Sequence, residues 1–343
     1  MEFGLIPCKW DYRDAIQEAC LADELGFDSL WAVEHHGDPL VCPAPLVALG
    51  GYATRTRRVK IGAYVVVLPL HHPVEVAEAG ALLDVMSEGR FTMGVGLGYK
   101  QDEFALFGVP MRERAERLVE GVELIKRLWT STGVTLKGRF HSVTDYTAYP
   151  RPVQQPRPPI WVGAAVEKAI RRSAVIADAW VASPAGDLSE LERGTAAFWE
   201  AVREAGVPVA EREVVISREV FVGATRKEAL AVAAEAFLDL YRETYIRWHP
   251  RFSGMRAEDV TFDAFAANRF IVGDPDECAA AILRFEQAVG FRHLICRMHA
   301  PGISLAAVKR SMELFAKEVA PRVRERLGSP TQIDASRPST PAR

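Results

Sequence analysis

Cysteine is scarce in this 343-residue chain and follows no pattern. The five (Cys8, Cys20, Cys42, Cys278, Cys296) are odd in number, and no two stand in a C-x-x-C pair, which argues against a disulfide framework and a zinc ribbon. Long apolar runs are missing too. The longest, Val65–Leu70, falls far short of the ~18 residues that a bilayer-crossing helix needs. Met1-Glu2-Phe3-Gly4 has no basic stretch leading into an apolar one, so the expectation is a cytoplasmic protein with no membrane partner. Charge of one sign is also lacking: 42 Lys plus Arg against 45 Asp plus Glu give a net charge of −3. No basic run is long enough to hold a polyphosphate backbone, and nucleic acid is not an expected partner. What remains, 49% hydrophobic and 25% charged residues, describes an ordinary globular enzyme-sized chain.

Short β-branched runs alternate with amphipathic stretches from end to end. Strands are expected at Phe3–Ile6, Ser29–Val33, Val59–Val67, Phe91–Val95, Ile160–Val162, Ala179–Ala182, Val214–Val222 and His293–Cys296. Between them the spacing i, i+4, i+7, i+11 recurs, as in Leu118/Val122/Ile125/Trp129 and Cys278/Ile282/Phe285/Val289, each burying one helical stripe. Thr225 with Glu228, and Asp274-Pro275-Asp276-Glu277, mark helix starts. Continuous Val/Ile runs suit strands covered on both faces, and eight such βα units predict an α/β fold, a (β/α)8 TIM barrel spanning 1–328. Insertions are expected near 131–147, as a small hairpin, and near 244–268, as a lid or binding loop. The Pro-rich run 149–159 reads as an extended crossover, and 329–343 as a disordered tail.

In such a barrel the chemistry sits where strands end. Two of these ends carry histidine pairs, His35/His36 and His71/His72, which suggests proton handling or metal. Neighbours on an extended strand point opposite ways, so each pair offers one inward imidazole. The end of strand one offers no ligand, and no metal is expected; His71, beside Pro73, reads as a strand-end cap. Gly94-x-Gly96-x-Gly98 lacks the dinucleotide fingerprint's third glycine, position 99 being Tyr99. Its alternate bare positions serve either close approach of a flat ring or tight internal packing. Gly163-Ala164-Ala165 stands at a strand-to-helix turn that can offer amides to a phosphate, with Arg114 and Arg117 as candidate cations. Trp10, Tyr99, Trp248, His249, Phe252, Arg297 and His299 are candidate substrate-pocket residues.

At these same strings the sequence resembles the bacterial luciferase-like monooxygenases. The likeness rests on Leu25-Gly26-Phe27-Asp28-Ser29-Leu30-Trp31-Ala32-Val33-Glu34-His35-His36, on Ile61-Gly62 through Val67-Leu68-Pro69 to His72-Pro73, and on Leu83-Asp84-Val85-Met86-Ser87-Glu88-Gly89-Arg90-Phe91 with Gly94-Val95-Gly96. It continues in Ile160-Trp161-Val162-Gly163, Ala177-Asp178-Ala179-Trp180 and Ile271-Val272-Gly273-Asp274-Pro275. The resemblance implies a flavin across the barrel mouth, backed by a non-proline cis peptide near Tyr64-Val65, with Gly96 and Leu97 beside the ring and the 163–165 turn at its phosphate. Leu97 stands where some FMN-using members carry a basic residue. The implied activity is monooxygenation of a small organic substrate by reduced FMN and O2 through a flavin hydroperoxide. A NAD(P)H:flavin reductase would supply the cofactor, His36 or His35 would handle the proton, and the protein would be a homodimer. The alternative is hydride transfer with a deazaflavin (coenzyme F-420). A metal-dependent hydrolase and a non-catalytic flavin-binding protein stand behind both.

Overall fold

The apolar runs form strands in chain order: β1 (Glu2–Ile6), β2 (Ser29–Ala32), β3 (Lys60–Ala63), β4 (Phe91–Gly96), β5 (Val134–Lys137), β6 (Ser142–Tyr146), β7 (Ile160–Ala164), β8 (Ala179–Ala182), β9 (Glu213–Val222), β10 (Phe270–Gly273) and β11 (His293–Arg297). The computed structural model describes residues 1–246, 250–252 and 254–328; the tail 329–343 lies outside these. β1 pairs in parallel with both β2 and β11, and β8 pairs with β9. The eight strands other than β5, β6 and β10 therefore close into a ring, the expected (β/α)8 barrel. Among the described residues no helix is long and apolar enough to cross a membrane.

Two strand expectations need correction. The third strand is not Val59–Val67: β3 stops at Ala63, the Tyr64–Val65 peptide bond is cis, and only Val66 bridges onward to Val95. A further strand, β10, pairs in parallel with Glu219–Val222, the end of β9 that projects past its pairing with β11. The 131–147 stretch holds the antiparallel β5–β6 hairpin. The second insertion continues a helix through a π turn (Leu240–Tyr245) and short 3-10 turns to helix Phe262–Arg269.

The core has two parts. Ile6, Trp31, Trp161, Val181, Val215 and Ile295 fill the barrel, with the Trp31 and Trp161 rings stacked at 4.6 Å. A larger cluster lies between strands and helices. Buried Asp84, on helix Pro73–Met86, ties the Pro-rich crossover to the barrel: its Oδ2 accepts from the Val153 (2.7 Å) and Gln154 (2.9 Å) amides, and its Oδ1 from Gln154 Nε2 (2.6 Å). Asp84→Ala strands these donors. At ~1–3 kcal/mol for a buried group left unsatisfied, the expected loss is about 3 kcal/mol, read as a lower urea midpoint; an unchanged midpoint would refute the anchoring.

Candidate active site

The C-terminal ends of the strands carry two buried carboxylates, each gripped by imidazole. Glu34, immediately beyond β2, is 3% exposed. Its Oε1 accepts from His36 Nε2 (2.8 Å) and His71 Nε2 (2.6 Å), and its Oε2 from the Val67 amide (2.7 Å). Burial works to raise the Glu34 pKa, but these three donors outweigh it and hold the carboxylate below its usual range. His71 is raised in return: burial pulls it down, and the contact with Glu34 prevails. His71 is thus more than a strand-end cap; the imidazole that caps helix Pro73–Met86, accepting from the Val74 amide, is that of His72.

The second carboxylate, Glu103, comes from the short helix Gln101–Leu106 after β4. Its Oε1 accepts from His35 Nδ1 (2.9 Å) and from the His36 amide (2.9 Å), while buried Oε2 has no partner among the described residues. Burial opposes ionisation, and the His35 bond outweighs it, so Glu103 also sits below its usual range. The other His35 nitrogen, Nε2, meets the Tyr99 hydroxyl at 2.9 Å. Burial pushes the Tyr99 phenol well up, keeping it neutral. The paired histidines therefore part: His36 turns to Glu34 and lies edge-on to Phe107 (4.6 Å), whereas His35 links Glu103 to Tyr99.

On the far side of the mouth, Arg297 Nη1 donates to Glu219 Oε1 (2.7 Å) and to the Tyr245 hydroxyl (2.8 Å), and Tyr241 donates to Glu219 Oε2 (3.2 Å). Lys9, just past β1, is partly buried beside this group; burial first and then Arg297 push its pKa down to about 7. Ser217, on the same face of β9 as Val215 and Glu219, is buried beside the Tyr64 hydroxyl.

The remaining sequence candidates take various places. Tyr64 reaches across the mouth, its hydroxyl donating to the Ala182 carbonyl (3.1 Å). A Cβ added to Gly94 would fall 1.9 Å from the Ala63 carbonyl oxygen, and one added to Gly96 would fall 2.5 Å from Val65 Cγ2. These glycines therefore make room for the chain's own 63–65 bulge, as the internal-packing reading of the motif requires. Leu97 packs on the main core. Gly163 and Ala164 end β7, and the next helix, Glu167–Ile176, begins at Val166 with no side-chain cap. Arg114 opens helix Arg114–Thr130; Arg117 is paired with Glu113 (3.0 Å) and stacked over Phe140. Phe252 is 1% exposed, packed edge-on against Tyr241. Trp248 and His249 lie outside the described residues. Trp10 lies edge-on to His299 at 5.0 Å. Glu34, Glu103, Glu219 and Lys9 were not singled out from sequence; Glu34 and Lys9 had the signal of following a strand, whereas Glu103 lies on a helix and Glu219 inside β9.

His299 is engaged at both nitrogens, Nδ1 with Glu18 Oε1 (2.5 Å) and Nε2 with the Ile303 carbonyl (3.0 Å). Burial raises Glu18 and by itself would lower His299, but Cys8 and Glu18 outweigh it and carry the imidazole up to about 10. Both partners of the ring, a carboxylate and a carbonyl, accept hydrogen bonds, which favours the imidazolium with a proton on each nitrogen. A folded pKa above the unfolded value of ~6.5 means stabilisation that is complete below pH ~6.5 and disappears as pH rises through about 10. Thermal melts between pH 7 and 10.5 should fall more steeply for the native chain than for His299→Gln; parallel slopes would dismiss this coupling.

Residues 7–293 match the sequence profile of a family described as luciferase-like monooxygenase. The chain is 31% identical over 342 residues to an F420-dependent glucose-6-phosphate dehydrogenase of Microbacterium testaceum, covering 94% of this chain and 99% of that protein. It is 29% identical over 316 residues to the 4-hydroxyprotoasukamycin monooxygenase of Streptomyces nodosus subsp. asukaensis, covering 88% and 84%. The crystal structure of monooxygenase RslO1 from Streptomyces bottropensis superimposes with a TM-score of 0.82 at 27% identity, covering 94% and 99% of the two chains.

Proposed function

The chain belongs to the luciferase-like monooxygenase family, and from that premise we propose an oxidoreductase that uses a deazaflavin (coenzyme F420) to oxidise a hydroxyl-bearing carbon of a small organic substrate. The observation that carries this reading is His35, oriented by buried Glu103 on one nitrogen and hydrogen-bonded through the other to the Tyr99 hydroxyl at the mouth. Removing hydride from an alcohol carbon requires a base for the hydroxyl proton, and an imidazole backed by a carboxylate is suited to that work. The names of the dehydrogenase relatives favour a deazaflavin over FMN.

The mouth fits such a group. Glu103 Oε2 is a buried polar atom with no partner among the described residues. The uncapped helix start after the small residues Gly163-Ala164-Ala165 leaves amides and the positive end of a helix dipole for a phosphate. Arg114 is the candidate cation there, because Arg117 is already paired with Glu113. The ring would lie against Val65, which fills the space over Gly96. Bound there, a deazaflavin supplies a hydride acceptor. His35 takes the substrate proton by way of the Tyr99 hydroxyl bonded to its Nε2, Glu103 fixes the ring and stabilises its charged form, and neutral Tyr99 hydrogen-bonds the reacting oxygen. Arg297 and Lys9 line the opposite wall.

A cofactor screen tests this. Tight binding of F420, and its reduction on addition of an alcohol substrate, are expected. A second reading is oxygenation with O2 and with reduced FMN from a separate reductase; the likeness to the monooxygenase RslO1 favours its oxygenating part. Binding of FMN alone, with oxygen-dependent turnover, would select it and overturn the first. We also propose a homodimer. Helix Pro73–Met86 leaves Leu82, Val85 and Met86 exposed, and apolar residues on an outer helix face call for cover. Sedimentation equilibrium should give twice the chain mass, shifting towards one in Leu82→Glu/Met86→Glu; a concentration-independent monomer would exclude it.

A further inference from the structure

The side chains of Glu34, His36 and His71 do not touch the His35–Tyr99 pair used above, although the His36 amide shares Glu103 with His35, and their arrangement supports more than hydrogen bonding. One ligand atom from each, a carboxylate oxygen and two imidazole nitrogens, lies within 4.8 Å of the others. The sequence argued against metal because each histidine pair offers one inward ring and the first strand offers no ligand. In the fold, two rings from different strand ends meet a buried carboxylate that supplies the missing third donor. We propose that Glu34, His36 and His71 bind a divalent transition ion of the zinc or cobalt type, independently of the cofactor reading.

The donor set is one oxygen and two imidazole nitrogens, the facial combination that suits borderline ions and leaves positions for water. The Val67 amide holds the second carboxylate oxygen at 2.7 Å, the kind of outer contact that fixes a ligating carboxylate. Access is present: the His36 and His71 side chains are 14% and 28% exposed, while Glu34 is wholly buried between them. Binding exchanges the two contacts to Glu34 Oε1 for bonds to the ion. Each Nε2 gives up the proton it donates to Glu34, to solvent or to its own Nδ1, so that its lone pair faces the ion and the ring binds as a neutral ligand.

The full-length chain, dialysed against chelator and titrated with CoCl2, reads this out without any turnover. A visible ligand-field spectrum saturating at one ion per chain is expected, and ZnCl2 should displace it. Glu34→Gln and His71→Ala should each weaken cobalt binding by about a hundredfold, at or beyond the 10–100-fold cost of losing an outer contact. His72→Ala, outside the cluster, should bind as the native chain does. His71 is the most exposed of the three, so its variant keeps the test decisive if Glu34→Gln fails to fold. No saturable spectrum, or one unchanged in His71→Ala, would overturn the proposal and leave a hydrogen-bonded cluster only.

Discussion

His35→Ala lowers turnover of the cognate substrate by about 10²–10⁴-fold, the usual contribution of a positioned acid or base, while deazaflavin affinity stays within a few-fold. The reason is geometric. His35 is the one imidazole of the two pairs with a buried carboxylate on one nitrogen and a mouth-facing hydroxyl on the other. Glu103→Gln should show a smaller loss, since an amide still holds the ring but no longer stabilises its protonated form. Because Glu103 acts through His35, the double variant should be no slower than His35→Ala alone, the non-additivity expected of groups that work as a unit. Steady-state rates and cofactor titrations on the four proteins check this. A His35→Ala enzyme within threefold of the native rate would move the chemistry elsewhere, and strictly multiplicative losses would detach Glu103 from His35.

The barrel was legible because its signals are local. A Val/Ile run followed by an amphipathic helix says what each unit is, and Asp274-Pro275-Asp276-Glu277 starts its helix as read, with the Asp274–Glu277 capping box closed. β10 escaped because Phe270–Gly273 stands outside the eight βα units and finds its partner only at the end of β9. Val59–Val67 misled for the opposite reason: its composition stays β-like across a place where the backbone leaves the sheet. The histidine strings were visible as a cluster, but their roles were not. What separates His35 from His36 is which carboxylate each meets, and Glu103 lies 68 positions from His35. No periodicity records a contact of that range. Phe252 shows the same limit, since an aromatic in an insertion reads equally as pocket wall or as core, and here it packs with Tyr241 and Phe265.

The glycines of β4 lead to the second large effect, because their sequence pattern was ambiguous and the structure makes it quantitative. Gly94→Ala puts a methyl group 1.9 Å from a backbone oxygen, that of Ala63, which cannot swing aside as a side chain can. Either β4 or the 63–65 bulge must move, and overpacking of this kind costs about 3 kcal/mol or more at the upper end of its range. Gly96→Ala meets only the Val65 Cγ2 methyl, at 2.5 Å, so a smaller loss of ~1–2 kcal/mol is expected. The two should also respond differently to a second change. Val65→Ala removes the atom facing position 96 and should recover most of the Gly96→Ala loss, but it leaves the Ala63 oxygen in place and cannot rescue Gly94→Ala. Denaturant unfolding of the singles and doubles measures this coupling. Since Tyr64 crosses the mouth from the same bulge, Gly94→Ala should lose cofactor binding along with stability, even at temperatures where it stays folded. Retained affinity in that variant, or equal rescue of both alanines, would mean that the bulge does not shape the mouth.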